Sequence, residues 1–358
     1  MIKLGVLQII DSLNTGGAEV LAVNIANALS KESINSHLCT TRAEGNLITN
    51  LNADVGYIYL KKNKILDYKA IIKLKNYVIK NNISIIHAHS SSYFTAFCLK
   101  IFYNNLYIIW HDHYGITQDL SKRSLFPIKF ISKYFYAILS VNENLKKWSL
   151  DNLKCKRVLF LNNFATFNNF DKITFLKKEE SKKIVHVAAF RAQKDHENLL
   201  HAYEKFYNKN KNWTLHLIGS INNNLYYEKI IKLIKNKGLE KSVFIYGACL
   251  DIKNILNQAD IGVLSSKSEG LPISLLEYGL AKLPVIVTNV GECSKVVENG
   301  ISGYVVAPEN NIELSLKLDI LANSELLRTS FGIRHHKKVT SKYSRSYFLK
   351  QLLNIYKL

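Results

Sequence analysis

The chain has 358 residues, 47% hydrophobic and 21% charged, which suits two packed cores and excludes a disordered polymer. Its 48 Lys and Arg against 28 Asp and Glu give a formal charge of +20, shared equally by residues 1–165 and 166–358. That balance favours anionic partners such as phosphates, nucleic acid or an acidic membrane face, and part of it reflects a general drift toward lysine. No apolar run approaches the roughly 18 residues of a membrane span, and the first residues read as a strand rather than a signal peptide. Five scattered cysteines (Cys39, Cys98, Cys155, Cys249, Cys293) with no Cys-x-x-Cys pair point to reduced thiols and a cytoplasmic protein.

In chain order, an apolar run at 3–10 predicts a first strand. It is followed by Asn14-Thr15-Gly16-Gly17-Ala18-Glu19 and an amphipathic helix to about Ser30. Apolar segments near 36–40, 55–60, 83–88, 106–110, 136–141 and 157–161 come next, most of them separated by helical-period stretches such as Tyr68–Lys80. Strands alternating with helices imply parallel β-α units and a sheet covered on both faces. The polar stretch 162–183, rich in Asn and Lys, reads as a linker between domains. The alternation restarts at 184–188 and continues through 213–218, 243–246, 261–264, 285–288 and 304–306. The tail from about 342 to 358 predicts one amphipathic helix with Tyr347, Phe348, Leu352, Ile355 and Tyr356 on its apolar face. The simplest architecture is α/β, with two doubly wound, Rossmann-like parallel-sheet domains facing a cleft.

The most informative string is Ser265-Ser-Lys-Ser-Glu269-Gly-Leu-Pro272-Ile-Ser-Leu-Leu-Glu277, followed by Leu283-Pro-Val-Ile-Val-Thr288. Glu269 follows an apolar strand, and Pro272 stands where a helix begins, a position that suits proline because its missing N–H would be unpaired there anyway. Glu277 then lies early in that helix. Both carboxylates fall at the C-terminal edge of a parallel sheet, where such sheets bind ligands and helix N-termini attract anions. Carboxylates beside an anion site make chemical sense for a ligand with both phosphate and hydroxyls, and a nucleotide sugar has both. A bare pair of glutamates spaced in this way would be an ordinary solvated helix face; the full string is far more specific.

Arg191 and Lys194 follow the first strand of the second half, where an arginine fork and a lysine point charge can share one diphosphate. A basic turn capped by Asp195 is the local alternative. Gly16 and Gly17 join a strand to a helix but do not form a G-x-G-x-x-G fingerprint. Two His-x-His pairs, His87/His89 and His111/His113, each end an apolar strand. A metal hydrolase would use such a cluster, although no third ligand motif accompanies them. Finally, 122–135 interleaves Lys122, Arg123, Lys129 and Lys133 with Phe126, Phe130, Tyr134 and Phe135. Core-facing aromatics with solvated lysines compete there with a surface helix resting on anionic lipid.

The Ser-Glu-Gly-Leu-Pro string and its Leu-Pro-Val-Ile-Val-Thr sequel resemble the donor-site signature of the retaining GT-B glycosyltransferases of the bacterial family 4 (group 1) type. The resemblance implies an acceptor-binding domain at 1–165, a linker at 166–183, a nucleotide-sugar donor domain at 184–340 and a C-terminal helix at 341–358 that crosses back to the first domain. It implies that Arg191 and Lys194 contact the donor diphosphate and Glu277 the ribose hydroxyls. Glu269 would lie beside the transferred sugar, which the backbone of Gly270, Leu271, Pro272 and Ile273 also approaches. The Gly16-Gly17 loop would cover the donor phosphates from across the cleft. His111 would sit close to the reacting sugar carbon, with His113 as the alternate register. One departure is Val290-Gly291-Glu292-Cys-Ser-Lys295, where Glu292 and Lys295 replace the family's glycine and glutamate.

The implied activity is metal-independent retaining transfer of a UDP-linked hexose or N-acetylhexosamine to a cell-surface glycan or lipid-linked acceptor, as in polysaccharide, capsule or lipopolysaccharide synthesis. No cofactor is implied beyond the nucleotide sugar, which is a substrate, and no specific nucleic acid is expected. Rival readings are a GT-B nucleotide-sugar epimerase, a non-catalytic basic nucleic-acid-binding protein and a metal hydrolase on the histidines.

Overall fold

Short runs rich in Val, Ile and Leu form strands buried on both faces, and the amphipathic stretches between them form the covering helices. The computed structural model describes residues 4–114, 120, 123–167, 171–221 and 224–357. It divides into two compact units, Met1–Asn163 with Arg345–Leu358, and Phe164–Ser344.

In the first unit the order is β1 (Gly5–Ile10), α1 (Gly17–Lys31), β2 (Asn35–Thr40), β3 (Gly56–Tyr59), α2 (Tyr68–Lys80), β4 (Ile85–His89), α3 (Tyr93–Phe102), β5 (Tyr107–Asp112), α4 (Ile128–Ile131), β6 (Phe135–Ser140), α5 (Glu143–Asn152) and β7 (Val158–Phe160). The seven strands pair in parallel in the order β3-β2-β1-β4-β5-β6-β7. Side-chain caps start the helices: Asp67 accepts from Ala70 N at 3.1 Å for α2, and Asn142 from Leu145 N at 2.8 Å for α5, each worth about 1 kcal/mol. The core packs Leu7, Ile9, Ile86, Ile108, Trp110 and Ile138 from the sheet against Leu74, Val78 and Leu99 from α2 and α3.

The second unit runs β8 (Lys182–Val187), α6 (His196–Tyr207), β9 (Trp213–Ile218), α7 (Asn224–Asn236), β10 (Val243–Gly247), α8 (Ile252–Asn257), β11 (Ile261–Leu264), α9 (Ile273–Leu280), β12 (Val285–Thr288), α10 (Cys293–Val296), β13 (Tyr304–Val306), α11 (Asn311–Ala322) and α12 (Glu325–Lys342). Its six strands are also parallel, in the order β10-β9-β8-β11-β12-β13. A separate core joins Ile184, Leu215, Leu217, Val263 and Ile286 to Leu199, Tyr203, Phe206, Leu318 and Phe331.

Three expectations shift. The stretch read as a linker belongs to the second unit: Ile173 N and Thr174 N donate to Asp251 Oδ2 at 2.9 and 2.7 Å, and Leu176 N donates to Gln258 Oε1 at 2.9 Å. The expected tail helix is present as one helix but starts later: α12 ends at Lys342, and α13 (Arg345–Tyr356) begins after it and packs in the first unit. On α13, Tyr347 is 43% exposed and Leu349 takes a buried place beside Phe348, Leu352, Ile355 and Tyr356. Pro272 caps α9 from just outside instead of filling its first helical position. Among the described residues, no helix is long and apolar enough to cross a membrane.

Candidate active site

In each sheet the strand order reverses once, between β1 and β4 and between β8 and β11. Loops leaving the carboxyl ends of neighbouring strands diverge at such a point and open a crevice for ligands. The singled-out residues collect at these two places. Gly16-Gly17 follows β1, and the His-x-His pairs end β4 and β5. Arg191 and Lys194 follow β8, while Glu269 follows β11.

In the second unit, the loop after β8 is stitched to the loop after β11. Lys267 N donates to Gln193 O, and Gln193 Nε2 donates to Ser268 O, both at 2.8 Å. Ser265 Oγ reaches the carbonyls of Lys194 and Asp195, each at 3.1 Å. Asp195 adopts the left-handed region (φ 50°) and caps α6 through Asn198 N. Within this frame Lys194 Nζ meets Glu269 Oε1 at 2.5 Å, and Ser266 Oγ donates to the same oxygen at 2.6 Å. Glu269 is buried, whereas Arg191 is exposed and its guanidinium has no hydrogen-bond or ion-pair partner among the described residues. Lys194 and Glu269, read separately from the sequence, thus form one ion pair at the strand ends.

α9 begins without a side-chain cap, which leaves its first N–H groups to other acceptors. Gly270, Leu271 and Ile273 carry backbone N–H groups, whereas Pro272 has none and serves only through its backbone shape. Glu277 is the fifth residue of α9. It keeps partial exposure, yet burial raises its carboxyl to about 7, and no described residue pairs with it.

The turn that departs from the family pattern packs directly on this loop. Gly291 has φ 55°, and a Cβ there would lie 2.2 Å from Glu269 O and 2.3 Å from Gly270 O, so only glycine fits. Glu292 N donates to Gly270 O at 2.9 Å. The two exchanged residues neutralise each other, with Lys295 Nζ 2.8 Å from Glu292 Oε2. The swap therefore leaves Lys194 and Glu269 paired as they are and brings in no unpaired charge.

In the first unit, neither Gly16 nor Gly17 is demanded by the fold. A Cβ at Gly17 would meet nothing within 4 Å, and one at Gly16 would meet only the far end of Glu19. Bare backbone therefore opens α1, but Glu19 reaches back over it, so an anion at this helix start requires Glu19 to rotate first.

The period of two along a strand brings the four histidines onto one face. His89 pairs in register with His111. His87 Nε2 lies 3.2 Å from His111 Nδ1, and His89 Nδ1 lies 3.0 Å from His113 Nε2. The rings of His87 and His89, and of His89 and His113, are stacked. Burial, with smaller contributions from neighbouring histidines, lowers His87 to about 3 and pushes His89 and His111 well below their usual range. Burial alone lowers His113 to about 3. All four are neutral at physiological pH. Ring nitrogens of His87, His89 and His111 lie within 4.8 Å of one another, a spacing compatible with a metal ion. Most of those nitrogens are already engaged with each other, with Gln8 or with Tyr356. His111 Nε2 differs: it is buried and has no partner among the described residues. Leaving such a group unpaired costs about 1–3 kcal/mol.

The basic-aromatic stretch resolves against core-facing aromatics. Ile128 and Ile131 fill the core, while Phe126 (77%), Phe130 (57%) and Tyr134 (43%) are exposed beside exposed Lys129 and Lys133. Phe135 is buried, and Lys122 lies outside the described residues. Arg123 is no surface charge. It pairs bidentately with Asp112 at 2.7 and 2.9 Å, and its guanidinium lies 4.1 Å from the Trp148 ring centroid and 4.4 Å from that of Tyr114. This clamp fixes the end of β5 beside His111. Sequence reasoning missed it, as it missed Gln8, Ser266 and the hydroxyl of Tyr356, because a side-chain hydrogen bond leaves no trace in the hydropathy pattern.

A sequence model described as "Glycosyl transferases group 1" matches residues 168–338, and one described as "Glycosyltransferase Family 4" matches residues 15–163. The poly(ribitol-phosphate) alpha-N-acetylglucosaminyltransferase of Staphylococcus aureus (strain COL) is 23% identical over 71% of this chain, which spans only 50% of that protein. The Staphylococcus aureus capsular polysaccharide biosynthesis glycosyltransferase CapH is 26% identical over 83% of this chain and 84% of its own. The crystal structure of Anabaena Alr3699/HepE in complex with UDP and glucose superposes with a TM-score of 0.82 at 14% identity, covering 99% of this chain and all of the other.

Proposed function

The chain belongs to the group 1 glycosyltransferases of GT-B fold, and from that premise we propose that it moves a hexose or N-acetylhexosamine from a UDP-sugar to a cell-surface glycan or lipid-linked acceptor with retention of configuration. The observation that carries this reading is the charge set of the second unit. Exposed Arg191, the Lys194–Glu269 pair, the uncapped start of α9 and the unpaired Glu277 carboxyl gather around the carboxyl ends of β8 and β11. Such a set suits a ligand carrying both a diphosphate and vicinal hydroxyls.

In this reading Arg191, Lys194 and the α9 amides stabilise the charge that develops on the departing diphosphate. Glu277 accepts from the ribose hydroxyls, Glu269 lies at the sugar, and His111 donates to it. The bond between the sugar's anomeric carbon and the diphosphate breaks through an oxocarbenium-like state. The acceptor oxygen then bonds that carbon on the same face, and its proton passes to a leaving phosphate oxygen. Fixed cations and helix amides supply the charge neutralisation, so transfer proceeds without a metal ion or other cofactor.

The test incubates the purified protein with UDP-sugars and candidate glycan acceptors, with and without EDTA, and reads products by mass spectrometry. The expected result is a glycosylated acceptor with an α-linkage from an α-donor and full activity in EDTA. Inversion overturns retention. Complete inactivation by EDTA, reversed by a divalent ion, overturns metal independence and reassigns the histidine cluster. Conversion of the UDP-sugar to an epimer without acceptor overturns transfer.

Peripheral contact of this cytoplasmic enzyme with an anionic membrane is part of the same proposal. It rests on the exposed Phe126 and Phe130 beside Lys129 and Lys133. Insertion of a phenyl ring contributes about 1.5–3 kcal/mol at full burial and each nearby lysine about 1 kcal/mol. The protein is expected to sediment with phosphatidylglycerol vesicles and not with phosphatidylcholine. The Phe126→Ser/Phe130→Ser variant should lose at least about tenfold in partitioning. Equal sedimentation of variant and wild type overturns this contact.

A further inference from the structure

The four histidines do not end in each other. His87 Nδ1 lies 2.6 Å from the hydroxyl of Tyr356 on α13, and His89 Nε2 lies 2.9 Å from Gln8 Oε1 on β1. Gln8 Nε2 is 3.5 Å from the same Tyr356 hydroxyl. All of these atoms belong to the first unit.

These distances determine where the protons sit. A buried phenol O–H needs an acceptor, and His87 Nδ1 is the near one. A separation of 2.6 Å is normal for an O–H donor and short for an N–H donor, so Tyr356 donates to His87 Nδ1. A neutral imidazole carries one proton, which must then be on His87 Nε2. That N–H donates to His111 Nδ1 at 3.2 Å, so His111 carries its own proton on Nε2. His111 Nε2 is the one ring nitrogen of the four that is buried with no partner among the described residues. The chain of donors therefore ends in an N–H aimed at nothing in the first unit. With the other tautomer His111 Nε2 would be a lone pair, unable to donate to a sugar hydroxyl or to a developing oxyanion.

We propose that Tyr356 is a positioning residue for transfer: through His87 it holds His111 as the Nε2–H tautomer, so that a hydrogen-bond donor faces the transferred sugar. This makes α13 part of the reaction machinery in addition to its packing in the first unit. Gln8 supports it from the other side, since its amide N–H reaches the phenol oxygen and favours the direction in which the phenol donates onward. Burial keeps the phenol protonated and the imidazoles neutral, so the relay has one proton arrangement across the physiological range.

The inference rests on His111 acting at the sugar, and its test separates the two ideas. Long-range proton–nitrogen correlation spectra of protein labelled with nitrogen-15 histidine report each tautomer directly, without substrate. The wild type should show His87 and His111 both as Nε2–H. Tyr356→Phe keeps the ring and removes the donor, so His87 and His111 should become mixtures of tautomers. Its kcat should fall roughly tenfold or more, approaching the loss in His111→Ala, with UDP affinity unchanged. An Nδ1–H tautomer at His111 in the wild type overturns the relay. So does a Tyr356→Phe enzyme with wild-type spectra and wild-type kcat. If the tautomers are as assigned but His111→Ala keeps full activity, the role of His111 at the sugar fails and the positioning of catalysis by Tyr356 fails with it, while the proton arrangement stands.

Discussion

Arg191→Ala is expected to lower kcat roughly 100- to 1,000-fold, the loss seen when one fixed donor to a developing oxyanion is removed. The Arg191 side chain is exposed and has no partner among the described residues, so its removal should disturb the folded protein by no more than about 0.5 kcal/mol. Turnover and stability are therefore separable at this position. They are not separable at Lys194, whose ammonium holds the buried Glu269 carboxylate at 2.5 Å. Lys194→Ala should lower kcat by a similar factor and also lower Tm, because the buried Glu269 carboxylate loses its cation. Adding Glu269→Gln to that variant should restore most of the Tm and none of the kcat. Thermal melts and single-turnover rates on the three proteins check this. Near-wild-type turnover in Arg191→Ala sinks its assignment to the departing diphosphate.

The alternation of strand and helix was legible because it is local. The stretches 213–218, 261–264, 285–288 and 304–306 coincide with strands, and Tyr68–Lys80 is a helix end to end. Polar residues blurred the edges. β4 runs on to His89 because its histidines are buried in hydrogen bonds that no hydropathy pattern records. Residues 162–183 looked like a linker from their lysines and asparagines, yet the backbone N–H groups of Thr174 and Leu176 find Asp251 and Gln258 some 80 positions away. The candidate site was legible as residue types at strand ends. Their pairings were not, since Lys194 with Glu269 and His87 with Tyr356 depend on the fold bringing distant strands and helices together, and residue type alone does not say that Arg123 turns back onto Asp112. Tyr356 read as one more apolar position on an amphipathic helix. Its ring obeys that pattern, and its hydroxyl carries a hydrogen bond that periodicity says nothing about.

The two glutamates should part company in binding and in pH. Glu277→Gln is expected to weaken UDP about 10- to 100-fold, as loss of charge-assisted hydrogen bonds to the ribose hydroxyls requires. Glu269→Gln should leave UDP affinity nearly unchanged and lower kcat and kcat/KM together, the mark of an interaction made in the transition state. The environment of Glu277 adds a second signature. Burial raises its carboxyl to about 7, so at pH 6 it is mostly protonated and at pH 8 mostly ionised. Hydroxyl donors bind the carboxylate and not the acid, so UDP binding selects the ionised form. The wild-type Kd should therefore rise as pH falls through 7, by up to about tenfold per unit. The nucleotide's own phosphate titrates in every variant, so the contribution of Glu277 is the difference in slope between the wild type and Glu277→Gln. Calorimetric titration of UDP into each protein from pH 5.5 to 8.5 measures both effects without knowledge of the acceptor. If Glu269→Gln loses UDP and Glu277→Gln keeps it, the roles are exchanged. If both variants bind UDP as the wild type does, with the same pH slope, the nucleotide is held elsewhere on the chain.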